Sequence, residues 1–147
     1  MSYRKFLLML VVSFIIMYTV MFLNVDELDH IYLSTTRTYM TLLMVLPMGI
    51  LMLLVMGKMY PKKRLNTTII ISSFALIDIL IAALRTQTPI GDVQYMKAMI
   101  PHHSSAIMTS KNANIRDTEV KKLSEQIIKS QEEEIAQMKA MLQRMEK

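Results

Sequence analysis

The sequence predicts an all-α protein with three transmembrane helices followed by a helical hairpin. Two observations carry that expectation. Three apolar runs of about 20 residues lie in the first 85 positions, and each is long enough to cross a hydrocarbon core. The stretch after Arg85 is instead rich in charge, and its apolar residues recur with a helical period. Of the 147 residues 52% are apolar, and their crowding into the first 85 points to two regions in two solvents.

The first run is Phe6 to Val25, the second Thr38 to Gly57, and the third Leu65 to Leu84, broken only by Asp78. The first is too long for the apolar core of a signal peptide, and no small-x-small cleavage site follows at Leu23, Asn24, Val25 and Asp26, so it reads as a retained span. Basic residues set the direction. Arg4 and Lys5 precede the first span, and Lys58, Lys62, Lys63 and Arg64 lie between the second and third. Both segments are expected in the cytoplasm, as at a bacterial inner (plasma) membrane. The loop holding Asp26, Glu27 and Asp29, with Arg37 its only basic residue, is then outside. So is everything after Arg85, an extracytoplasmic or periplasmic region. These flanking clusters hold much of the net charge of +5, which therefore speaks for membrane lipid as a partner and not for nucleic acid.

Two features lie within the spans. Met40, Met44, Met48, Met52 and Met56 recur every four residues and draw a slowly winding ridge along the second helix. The ridge is either a packing face of flexible side chains or a path for soft cations. Pro47 and Gly49 interrupt the same helix. Asp78 is a carboxylate at membrane depth, where it needs a partner or water. Arg85, two turns along, is one candidate.

Residues Thr86 to Gly91, with Pro89 and Gly91, read as a linker. Asp92 is a candidate N-cap for a helix to about Asn112. After a turn at 112–116, Asp117 is a candidate N-cap for a second helix that runs to the end of the chain. On that helix Val120, Leu123, Ile127, Gln131, Glu134, Ile135, Met138, Met141, Leu142 and Met145 fall within a band of about 120°. Glu134 on such a stripe needs a histidine, a metal or another chain beside it. On the first helix Met96, Met99, His102 and His103 share a narrow sector, and Pro101 frees a backbone carbonyl near Lys97. A turn centred near Ile115 sets His103 opposite Ile127, Met99 opposite Gln131 and Met96 opposite Glu134.

Cysteine is absent, which excludes disulfides, thiolate sites and thiol nucleophiles. Methionine numbers 16. Thioethers suit Cu(I), and they also fill apolar gaps; composition leaves both readings open. The hairpin offers one carboxylate on its buried stripe, Glu134, and no Glu-x-x-His pair, so a di-iron oxidase is not expected. No Ser-His-Asp arrangement is evident either, and the chain is not expected to be an enzyme.

The run M-I-P-H-H-x-x-A at Met99 to Ala106, followed by Q-x-x-E-I-x-x-M at Gln131 to Met138, with Asp92, Tyr95, Met96, Val120, Leu123, Ile127, Ile128 and Met141 around them, resembles the CopM-like family, domain of unknown function 305. The resemblance covers roughly the last third of the chain, residues 92–147. It implies a ferritin-like helical bundle and extracytoplasmic binding of a copper ion, Cu(I) favoured over Ag(I), for homeostasis or resistance. It also implies that Met99, His102 and His103 are metal positions, with Met138 and Met141 beside them; the shared helix faces add Met96 to the candidate ligands and Gln131, Glu134 and Met145 as a second tier. Many members carry two hairpins. This chain has one, so self-association into a homodimer or larger bundle is expected, together with a protein that donates or accepts the metal. The alternative is a membrane-anchored oligomerisation or adaptor module without metal, in which the histidines are interface residues.

Overall fold

The computed structural model describes residues 2–146, so Met1 and Lys147 lie outside the described residues. Five helices follow one another: α1 (Tyr3–Val20), α2 (Thr35–Val55), α3 (Lys63–Thr86), α4 (Asp92–Asn112) and α5 (Thr118–Met145). Short 3₁₀ turns at Leu28–His30 and Gly57–Met59 precede α2 and α3, and no strand occurs among the described residues. Helices α1, α2 and α3 are each long and apolar enough to cross a membrane. The chain divides into two compact units. Of the described residues, one comprises 2–20 and 36–89, the other 21–35 and 90–146.

The first unit holds the three apolar helices. Their outward faces are aliphatic, including Leu7, Val11, Ile15, Leu51, Leu54, Ile71 and Ile79, as a lipid-facing surface requires. The small core lies at one end, where Phe6, Leu53 and Tyr60 pack with Tyr3, Leu10, Met52, Ile69 and Ile70. Tyr60 leads into α3 and sets its ring against both Tyr3 and Phe6, while its hydroxyl meets the Met52 sulfur at 3.5 Å. Gly49 lets α1 approach α2 closely: a Cβ there would stand 3.3 Å from a Leu10 methyl. Pro47 sits inside α2 without ending it. Of the methionine ridge, Met52 joins the packing, whereas Met40, Met44 and Met56 are exposed. Asp78 is exposed on α3 and forms no ion pair with Arg85. Helix α3 closes with Gln87 in the left-handed conformation, and Thr88–Pro89 is cis.

The second unit is a hairpin of α4 and α5 with residues 21–35 packed on it. Asp117 caps α5 as expected, accepting hydrogen bonds at 2.9 Å from the backbone N–H groups of Glu119 and Val120. At the start of α4, Gly91 takes the cap position and Asp92 is the first helical residue. The two helices meet along stripes with alternating spacings of three and four, Met96, Ile100, His103 and Ile107 on α4, with Ser104 beside them, against Ser124, Ile128, Gln131, Ile135, Met138 and Leu142 on α5. This spacing is that of a knobs-into-holes seam. It is narrower than the band read from the sequence, and Val120, Leu123, Met141 and Met145 are left exposed.

Candidate metal centre

His103 is the buried histidine of the α4 seam, and it is held from both sides. Its Nδ1 lies 2.9 Å from the carbonyl oxygen of Met99, one turn back on α4. A carbonyl only accepts, so Nδ1 carries a hydrogen and donates it. That fixes the tautomer and turns Nε2 across the hairpin to Oε2 of Glu134 at 2.6 Å. Ser130, one turn before Glu134, donates its hydroxyl to the other oxygen, Oε1, at 3.0 Å. The His103 hydrogen bond, with that of Ser130 behind it, holds the Glu134 carboxyl below the usual carboxylate range.

One proton therefore lies between Nε2 and Oε2, at a place where a metal ion can stand instead. The outer nitrogen is already oriented by a backbone carbonyl, the usual second contact of a metal-bound imidazole. His102 is exposed beside it, its ring centroid 6.0 Å from that of His103.

The other sequence-predicted positions divide between core and surface. Met96 is buried in the cluster of Ile100, Ile107, Ile135 and Leu142, and Met138 packs against the same cluster. Met99 and Gln131 are half-buried. Met99 reaches His103 through its carbonyl oxygen. Met141 and Met145 are exposed. The structure thus joins His103 to Glu134 directly and sets Met96 and Met138 in one core cluster.

The register differs from the expected pairing. His103 faces Glu134 in place of Ile127, close to one heptad further along α5. The connection explains the shift. Ala113 and Asp117 are both extended, so the link between the helices is longer than a tight turn at Ile115 and α5 begins further out. His103 and Glu134, which this register brings together, are separate features of the sequence.

The packing of residues 21–35 on the hairpin is absent from the reading of the sequence. His30 is buried, and its Nδ1 lies 2.9 Å from the Ser104 hydroxyl. The same hydroxyl accepts the backbone N–H of Asp26 at 2.7 Å, and Asn24 donates to Ser105 at 2.7 Å. Lys111 pairs with Asp26 at 2.8 Å and Lys139 with Asp29 at 2.6 Å. A signal was present, because Glu27 and His30 are themselves a Glu-x-x-His pair. It lies in a loop whose charges were read only for membrane direction.

The Glu134 shift gives a pH dependence of definite sign. A carboxyl with a depressed native pKa stabilises the fold above its unfolded value, about 4.3, and loses that contribution as pH falls through the native value. Hydrogen-exchange protection around His103 and Glu134 is therefore expected to weaken on acidification below about pH 4.3. Glu134→Gln should lack that increment. A Glu134→Gln profile that overlays the parent's would show that the pair does not titrate in this way.

Residues 80–147 match the family described as Domain of unknown function (DUF305). The chain is also 37% identical over 145 residues to the uncharacterized protein L153 of Acanthamoeba polyphaga mimivirus, an alignment covering 97% of this chain and 93% of the viral one. That alignment runs through the apolar helices as well as the hairpin. No solved structure matches the chain significantly.

Proposed function

The chain belongs to the family of that mimivirus protein, with a DUF305 domain over residues 80–147, and from that premise we propose that it is a membrane-anchored protein whose α4–α5 domain binds a soft metal ion, Cu(I) or Ag(I). The reading takes the hairpin as CopM-like and, once self-associated, as a ferritin-like bundle. Binding is reversible coordination that lowers the free ion concentration or presents the ion to a donor or acceptor protein.

One observation carries the reading. His103 has its Nδ1 committed to the Met99 carbonyl and its Nε2 set on a single replaceable proton. His102 stands alongside, exposed, and thioethers flank it on the same helix. Imidazole and thioether without thiolate form a soft to borderline donor set. Met99, His102 and His103 are the proposed ligands, with Met96, Met138 and Met141 supplying further sulfur. Gln131, Glu134 and Met145 form the outer tier.

The topology belongs to the same proposal. Basic residues stand in the first turn of α1 and before and at the start of α3, by which those ends are cytoplasmic and the hairpin lies on the opposite side, periplasmic at a bacterial plasma membrane. The packing of residues 21–35 with the hairpin supports part of this, since two crossings, α2 and α3, return the chain to the side it left.

The test is an anaerobic Cu(I) titration of the full-length chain in detergent micelles against a colorimetric chelator. Full length is needed because residues 21–35 are part of the folded unit. The parent is expected to compete with the chelator, and His103→Ala and Met99→Ala should each weaken binding by about 10- to 100-fold, since even outer partners of a metal ligand count for that much. A folded parent that leaves the chelator saturated would end the proposal.

A second reading, a membrane-anchored adaptor without metal, draws on the exposed Val120, Leu123, Met141 and Met145 of α5. In that case self-association persists in His102→Ala/His103→Ala and is lost in Val120→Asp/Leu123→Asp. Exposed Asp78 adds to the case for self-association in either reading, because a carboxylate at membrane depth calls for a partner or water.

A further inference from the structure

We propose that Glu27, Asp29 and His30 form a second cation site, for a borderline divalent ion of the Zn²⁺ type, on the 3₁₀ turn that packs against α4. The three residues supply one nitrogen and two carboxylate oxygens, all within 4.8 Å of one another. A soft monovalent ion gains little from carboxylates, so this donor set selects a different metal from the methionines and histidines of the hairpin.

The geometry of His30 is the evidence that the cluster is built for an ion. The side chain is only 8% exposed, yet its Nε2 lies 3.7 Å from Oε2 of Glu27 and 3.6 Å from Oδ1 of Asp29. Both separations exceed hydrogen-bonding distance. They are close to the edge of a Zn²⁺ tetrahedron, roughly 3.4 Å for bonds of about 2.0–2.1 Å. Small movements of the two exposed carboxylates would bring all three atoms onto one ion.

The other ring nitrogen is fixed independently. Nδ1 of His30 lies 2.9 Å from the buried Ser104 hydroxyl, which also accepts the Asp26 backbone N–H. The imidazole is thus oriented from behind by a hydroxyl, as metal-bound imidazoles are by their outer partners. Lys139 takes Oδ2 of Asp29 and leaves Oδ1 facing His30.

The surroundings are anionic and roomy. Asp26, Glu27, Asp29 and Glu132 stand against Lys111 and Lys139, an excess of two negative charges that a dication would cancel. A cavity of about 230 Å³ lined by Glu27, His30, Glu132 and Lys139 adjoins the cluster and has space for a water as fourth ligand. Three protein ligands and an open position are the pattern of accessible zinc sites.

Zn²⁺ titration of the full-length chain in micelles, read with a competing fluorescent chelator, tests the assignment. The parent is expected to bind one more Zn²⁺ than Glu27→Gln/Asp29→Asn, or to bind it at least tenfold more tightly. These substitutions are nearly isosteric and fall on exposed side chains, so the fold should persist. His103→Ala should keep this site. Added Zn²⁺ should also slow hydrogen exchange at residues 26–31 in the parent and not in the double variant. Equal Zn²⁺ binding by parent and double variant would overturn the proposal. So would loss of the site in His103→Ala, which would move the ion to the hairpin pair.

Discussion

Replacing Ile100 by alanine is expected to destabilise the hairpin by about 2–5 kcal/mol, the range for truncating a fully buried aliphatic side chain. Ile100 is 0% exposed, and its cluster holds only four other buried residues, Met96, Ile107, Ile135 and Leu142. A core that small has few neighbours able to close over a lost side chain. Met96 and Met138 are the exceptions, because unbranched thioethers adapt to gaps, and they keep the cost from the top of the range. The control is Val120→Ala on the same unit. Val120 is 51% exposed, so its truncation should stay within about 0.5 kcal/mol. Hydrogen exchange of the α4 and α5 amides, with the full chain in micelles, reads both variants. Equal effects would mean that the α4–α5 seam is not the core.

The helices were legible in the sequence because their causes are local. Three apolar runs of about 20 residues are long enough to satisfy all their backbone groups internally as helices, and the helical period of α5 with Asp117 before it marked that helix and its start. What was not legible depends on side chains that meet across distance in the chain. By angle alone the α5 stripe includes Val120, Leu123 and Met141. The structure buries Ser124 and leaves those three in the open, since α4 is one helix wide and covers only the seam. His103 and Glu134 were each singled out, the first by the His-His pair and the second as a carboxylate on an apolar stripe. Their meeting followed from the extended residues between the helices, which no helical wheel includes. His30 was missed for a different reason. Its neighbours Asp26, Glu27 and Asp29 served as topology markers, and nothing in the loop indicates that a serine 74 residues away would bury it.

That serine gives the second large effect. Ser104→Ala is expected to release the turn at residues 26–31 while leaving α4 and α5 together. Ser104 is 0% exposed, and its hydroxyl serves two groups, the Asp26 N–H at 2.7 Å and the His30 ring at 2.9 Å. Alanine removes the oxygen and supplies no substitute. A buried polar group left without a partner costs about 1–3 kcal/mol. The ion pairs of the turn itself are weaker ties, because Lys111 to Asp26 and Lys139 to Asp29 are exposed contacts, and exposed ion pairs contribute about 0–1 kcal/mol each. The least costly response is local opening of the turn, which returns His30 and the Asp26 backbone to water. Amides 26–31 should then exchange roughly 5- to 150-fold faster, the equivalent of about 1–3 kcal/mol. The α4–α5 amides should change little, the reverse of Ile100→Ala, in which the seam itself loosens. Equal acceleration in the turn and the helices would show that Ser104 acts through the core and not by holding the turn.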